Sequence, residues 1–185
     1  MTVTSVLAGL VLAVLGWAAF LYNRLVRLRN QVRTAWADID VQLQRRHDLV
    51  PQLVAAVRGY AGHEAAVLEA VTELRAQALT QRDPAKLGEL ESALELAIGR
   101  LLVIQEAYPD LKASDNFAQL QRDLVDVEEH LQYARRFYNG AVRDYNDATQ
   151  RIPDIAVARG FGFRPAGFFQ AREDERAAPA VELAR

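Results

Sequence analysis

Each of the three histidines in this chain stands next to, or one residue from, a carboxylate: His47–Asp48, His63–Glu64 and Glu128–Glu129–His130. Imidazole beside carboxylate is the material of metal sites and of general acid–base pairs. A di-metal site inside a helical bundle, however, takes a Glu-x-x-His pair from each of two helices and two further Glu. No Glu-x-x-His occurs in the sequence, and His63 follows a turn signal, Gly59–Tyr60–Ala61–Gly62. Serine and threonine lack a partnering His and acid, and no glycine-rich loop opens a helix to hold phosphate. With no cysteine, thiol catalysis, thiolate zinc and disulfides are excluded together. The sequence therefore predicts no catalytic residue, no metal and no cofactor, and the chain reads as non-enzymatic.

The polar residues that remain informative sit on or beside apolar seams. Val32, Trp36, Ile39, Leu43, Val50, Leu53, Val57 and Tyr60 follow a heptad spacing interrupted only by Arg46. An arginine at such a position needs a carboxylate, and an antiparallel partner helix would offer it near Asp123, Asp126 or Val127. Asn139 and Asn146, one heptad apart, should lie opposite the stretch from Asn30 to Asp40 and fix register by hydrogen bonding. Asp40, Arg46, Asn139 and Asn146 thus read as a structural polar network, with a polar-ligand site near Asp40, Asn139 and Asn146 as the other reading.

The elements that position these residues are all helical. The first seam is one helix of about 39 residues from Tyr22, in which Pro51 should introduce a kink. A second helix, carrying Val67, Leu68, Val71 and Leu74, ends near Thr80. Asp83–Pro84 starts a third, with Asp as N-cap and Pro at the first helical position, and Pro109 ends it. Ser114 or Asp115 opens the fourth, whose seam runs from Phe117 to Ile152. The fold class is all-α: an antiparallel four-helix up-and-down bundle over residues 23–153. At 1.5 Å per residue, helices one and four reach ~57 Å and the middle two only ~25 to 35 Å. Residues near 22–40 and 131–151 should therefore form a two-helix stalk. Such a pair leaves Val32, Trp36, Tyr138 and Tyr145 partly exposed, which marks them as a self-association surface.

Ahead of the bundle, Val3 to Tyr22 carries no charge. About 20 apolar residues suffice to cross a ~30 Å hydrocarbon core. No basic residue precedes the run, and Trp17–Ala18–Ala19–Phe20–Leu21–Tyr22 is a poor cleavage site, so residues 1–22 read as an uncleaved transmembrane anchor continuous with the first bundle helix. Arg24, Arg27, Arg29 and Arg33 follow the run, which places the amino terminus outside and the bundle in the cytoplasm of a cell with an inner membrane. Trp17 would anchor at the interface. Gly9, Ala13 and Gly16 share one helical face, either a close-approach surface between spans or simply a tolerant apolar helix.

Residues 154–170 hold Phe161, Phe163, Phe168 and Phe169, four of the seven Phe, beside Arg159 and Arg164. Two readings stand: insertion at the membrane surface, or packing across the stalk or onto a neighbouring protomer. Residues 171–185 are charged and Ala/Pro-bearing, the composition of a flexible tail. The balance of 22 basic against 24 acidic residues, net −2, argues against nucleic-acid binding.

Several blocks resemble the LemA family. These are Tyr22 to Asn30, Trp36 to Val54 (WADIDVQLQRRHDLVPQLV), Gly59 to Glu64, Ala107 to Lys112, Phe137–Tyr138–Asn139 through Tyr145–Asn146, and Gly160 to Phe163. The resemblance implies a bacterial membrane-anchored protein with a helical-bundle soluble part, and supplies no reaction. The expected role is a scaffold that contacts the lipid bilayer, forms homo-oligomers, and organises membrane or recruits unidentified protein partners. The alternative is an adaptor or sensor that binds a polar ligand or partner through its bundle.

Overall fold

The computed structural model describes residues 3–61 and 63–169, and among them there is no β-strand. The expected flexible tail, 171–185, lies outside the described residues, as do Met1, Thr2, Gly62 and Gln170. Six α-helices are present among the described residues: α1 (Val3–Arg58), α2 (Ala65–Thr80), α3 (Pro84–Val103), α4 (Pro109–Lys112), α5 (Asp115–Gln150) and α6 (Asp154–Gly160). The fold is all-α, with an apolar N-terminal helix that continues without a break into the bundle. α1 runs through Pro51 to Arg58.

Helix ends follow local chemistry. Asp83 caps α3: its Oδ1 accepts from the N–H groups of Ala85 at 2.9 Å and Lys86 at 3.1 Å. Pro84 takes the first helical position, where no N–H is needed. Two elements depart from the periodicity. The third helix ends as an α-helix at Val103, and Ile104–Ala107 tighten into a 3-10 turn. Pro109, read as a terminator, instead opens the single turn of α4. The sequence pattern also gave no sign of α6.

The described residues divide into two compact units, 3–39 with 134–167, and 40–61 and 63–133 with 168 and 169. α1 and α5 contribute to both. In the second unit the core gathers Val50, Leu53 and Val57 of α1, Leu68 and Val71 of α2, Leu94, Ile98 and Leu101 of α3, Leu111 of α4, and Phe117 and Leu124 of α5. Burying each of the larger of these side chains stabilises the fold by about 1.5–3 kcal/mol.

In the first unit α1 and α5 run antiparallel: the Trp36 ring lies 5.2 Å from that of Tyr138, and further back along α1 Arg29 and Arg33 act electrostatically on Tyr145. The pair is not left bare. α6 and residues 161–167 fold back against it as a third layer, held by named contacts. Arg24 Nη1 reaches both carboxylate oxygens of Asp154, at 3.2 and 2.9 Å, and Asp154 is buried. Tyr22 meets Phe161 and Phe163 edge-on at 4.9 and 5.6 Å, and the Arg29 guanidinium stands 4.9 Å from the Phe163 ring centre. Gly162 has φ +70, and the Phe163 N–H donates to the Ala158 carbonyl at 2.9 Å. A left-handed glycine with this six-to-one bond is a Schellman stop, which turns the chain back after α6.

Candidate functional site

The second unit holds a buried ionic cluster. Arg46 and His47, adjacent on α1, are 2% and 4% exposed, and Glu91 of α3 is 0% exposed. Glu91 divides its carboxylate: Oε1 lies 2.7 Å from His47 Nε2, and Oε2 accepts from Arg46 Nη1 at 3.2 Å. The other guanidinium nitrogen of Arg46 pairs with Glu128 of α5. Arg75 of α2 donates through Nε to the His47 carbonyl at 2.7 Å. A buried charge is tolerated only when paired and hydrogen-bonded, and here each of the four bundle helices supplies a member.

The seam-breaking arginine therefore does take carboxylate partners, Glu91 and Glu128, the second next to Val127 on α5. Asp126 instead pairs with Arg45 at the surface, at 2.8 Å. Glu91 was invisible because α3 admits two seams one residue apart. The apolar count favours Leu87–Leu90–Leu94, whereas the buried residues of α3 are Leu87, Gly88, Glu91, Leu94, Ala97, Ile98 and Leu101.

Beside this cluster an open groove of about 590 Å³ runs between α3 and α5. Its walls are Leu96, Ile98, Leu102, Val103, Leu124 and Val125, with Arg46, Glu95 and Glu128 as the polar part and Arg100 also lining it. The lining is mostly apolar and has no hydroxyl, thiol or imidazole. Among the described residues no three His, Cys, Asp or Glu side chains come together as a possible metal site. His130 instead lies 2.7 Å from the Asp126 carbonyl one helical turn back, and His63 is exposed.

Asp40 is exposed and belongs to the second unit, whereas Asn139, half-buried, and Asn146 belong to the first. The Asn146 amide is occupied by the chain's own Ala166, through bonds of 2.8 and 2.9 Å. Val32, Tyr138 and Tyr145, expected as an exposed association surface, are buried, and Trp36 is half-buried. The reason is the third layer: α6 and residues 161–167 complete the first unit. Tyr138 donates its hydroxyl to the Gly167 carbonyl at 2.8 Å. Burial raises the pKa of both tyrosines, in Tyr145 against the lowering influence of Arg29 and Arg33.

Phe163 and Phe169 are likewise interior, 7% and 1% exposed, and so face protein rather than lipid; Phe161 and Phe168 remain exposed. Of the basic pair in the membrane-interface set, Arg24 is spent on Asp154 and Arg27 is exposed. In the apolar run, Gly9, Ala13, Gly16 and Trp17 are exposed, and nothing lies within 4 Å of where a Cβ would stand on either glycine.

A model of the LemA family matches residues 35–183. The chain belongs to the LemA family. The matched region begins after the apolar run and the juxtamembrane arginines. Relatives of this LemA-family chain include magnetosome protein MamQ 2 of Paramagnetospirillum magneticum, 25% identical over 198 residues, covering 88% of this chain and 72% of that protein. Magnetosome protein MamQ of Magnetospirillum gryphiswaldense is 24% identical over 195 residues, with 86% and 71% covered. Protein LemA of Metamycoplasma hominis is 28% identical over 156 residues, with 83% and 71% covered. None of these names states a reaction. The start of α1 is long and apolar enough to cross a membrane, and the rest of the chain buries none of its apolar window. Family and helix together make this a membrane-associated protein.

Proposed function

We propose that this LemA-family chain is a non-enzymatic structural protein of the bacterial plasma membrane, anchored once through Val3–Tyr22, with its amino terminus outside and its bundle in the cytoplasm. It organises membrane by self-association through the span. The supporting observation is the run itself. Most of its large apolar side chains are exposed among the described residues, Leu10 at 63% and Leu12 at 69%, and Gly9, Ala13 and Gly16 leave one face open for a second helix. The flanking Arg24, Arg27, Arg29 and Arg33 support the orientation. The relatives named as magnetosome proteins support a role in a specialised membrane structure.

The test is oxidative crosslinking in membranes of single-cysteine variants, made straightforward by the absence of native Cys. Gly9→Cys and Gly16→Cys should form disulfide-linked dimers and Val11→Cys, on the opposite face of the helix, should not. Absence of dimers at all three positions, with a monomeric mass in detergent, would reject self-association through the span.

A second reading rests on the α3–α5 groove: an adaptor whose bundle holds a partner protein. A photo-crosslinking residue at Leu96, which lines the groove and is 49% exposed, would label a second polypeptide in cells under this reading. Labelling confined to lipid or to the chain itself would reject it.

A further inference from the structure

The turn after α6 sits at the level where the apolar run of α1 ends. Tyr22 is the last residue before the polar Asn23 and Arg24, and its ring meets Phe161 at 4.9 Å and Phe163 at 5.6 Å. The two phenylalanines have different fates. Phe163 is interior at 7% exposed, whereas Phe161 is 66% exposed between the exposed glycines 160 and 162. The positive φ of Gly162 holds the turn in the shape that displays Phe161.

Within the α6 segment itself the exposed charges have one sign. Between residues 154 and 164 the ionisable side chains are Asp154, Arg159 and Arg164. Asp154 is buried and neutralised by Arg24, while Arg159 and Arg164 are exposed. An exposed aromatic flanked by arginines, next to the end of an apolar span, is the composition of a headgroup-level contact.

We infer that the Phe161 turn is a second bilayer contact: Phe161 inserts at the boundary of the hydrocarbon while Arg159 and Arg164 meet the phosphates of an anionic phospholipid surface. The inference rests on the reading of Val3–Tyr22 as a membrane span. Continuity with Tyr22 selects lipid as the occupant, and the positive surface selects anionic lipid.

Spin labels at Phe161→Cys, Leu12→Cys and Val125→Cys, each in the full chain, would be measured in vesicles of phosphatidylcholine alone and mixed with phosphatidylglycerol. The readout is collision with oxygen, which concentrates in lipid, against collision with a water-soluble nickel chelate. In mixed vesicles the label at 161 should collide with oxygen and be shielded from nickel, as at Leu12, whereas Val125 should show the opposite. Arg159→Gln with Arg164→Gln, or removal of phosphatidylglycerol, should cut the lipid-inserted fraction on the order of tenfold. Equal insertion with and without anionic lipid would overturn the charge assignment. Shielding from both reagents would mean protein contact and overturn the inference. A water-exposed label at 161 with a lipid-exposed label at Leu12 overturns this inference alone; water exposure at both positions overturns the span reading as well.

Discussion

Asn146 grips Ala166 by both of its backbone groups: the amide oxygen accepts the Ala166 N–H at 2.8 Å, and the amide nitrogen donates to the Ala166 carbonyl at 2.9 Å. One α5 side chain thereby does for residues 161–167 what a neighbouring strand would do for an edge. The segment has no ladder of its own, so this clasp and the Tyr138–Gly167 bond carry much of its backbone pairing.

Asn146→Ala should therefore loosen the segment locally. Two bonds at about 1 kcal/mol net each predict a loss of about 1–3 kcal/mol. Hydrogen exchange at the Ala166 amide should accelerate far more than exchange in α2 or α3. Unchanged protection at Ala166 would refute the clasp.

Glu91→Ala should be among the most damaging single changes in the second unit, because it removes the buried carboxylate that Arg46 and His47 share. Breaking a buried pair from one side costs about 3–5 kcal/mol. Replacing Arg46 and Glu91 together by Met should cost less than the two single losses summed. Urea unfolding of the four proteins would give the coupling. Strict additivity would show that the two side chains act independently.

Alkaline pH should destabilise the first unit. Burial raises the Tyr138 pKa above its ordinary value of 10.0. Its contribution is therefore complete below that value and is lost as pH rises through the folded-state pKa, since the unfolded chain releases the proton first. The phenolate also has no proton to give to Gly167. Tyr145 shifts in the same direction. Stability measured against pH should fall above pH 10.0 and fall less steeply in Tyr138→Phe.

Gly162→Ala should destabilise the turn by about 1–2 kcal/mol through backbone strain alone. Nothing lies within 4 Å of the added methyl, while φ is +70. The expected signs are a lower melting temperature and faster proteolysis after α6. An unaltered melting temperature would count against the Schellman stop.

Much of this architecture was legible in the residues. The seam from Val32 to Val57, the Asp83–Pro84 start and the long repeat after Phe117 each rest on local chemistry, and each became a helix. Arg46 announced itself by interrupting a seam. Its main partner did not, because Leu90 offered a more apolar alternative to Glu91 and periodicity chooses by hydrophobicity. His47 beside Asp48 reads as a metal candidate, although its place four residues after Leu43 also puts it on the inner face. α6 left no trace: seven residues with two buried side chains, Asp154 and Ala158, are too short for a period to emerge. Without α6, Tyr138 and Tyr145 look exposed and suggest a partner that the chain itself provides.

The Arg24–Asp154 pair joins residues 130 positions apart. A ribosome adding roughly 5–20 residues per second delivers Asp154 on the order of ten seconds after Arg24. Throughout that interval Arg24 carries an unopposed charge beside the emerging apolar run, and it loses that freedom once α6 docks. Under the proposed orientation, the signal carried by the flanking arginines belongs to the nascent chain, and the finished protein reuses one of those arginines as an internal fastener.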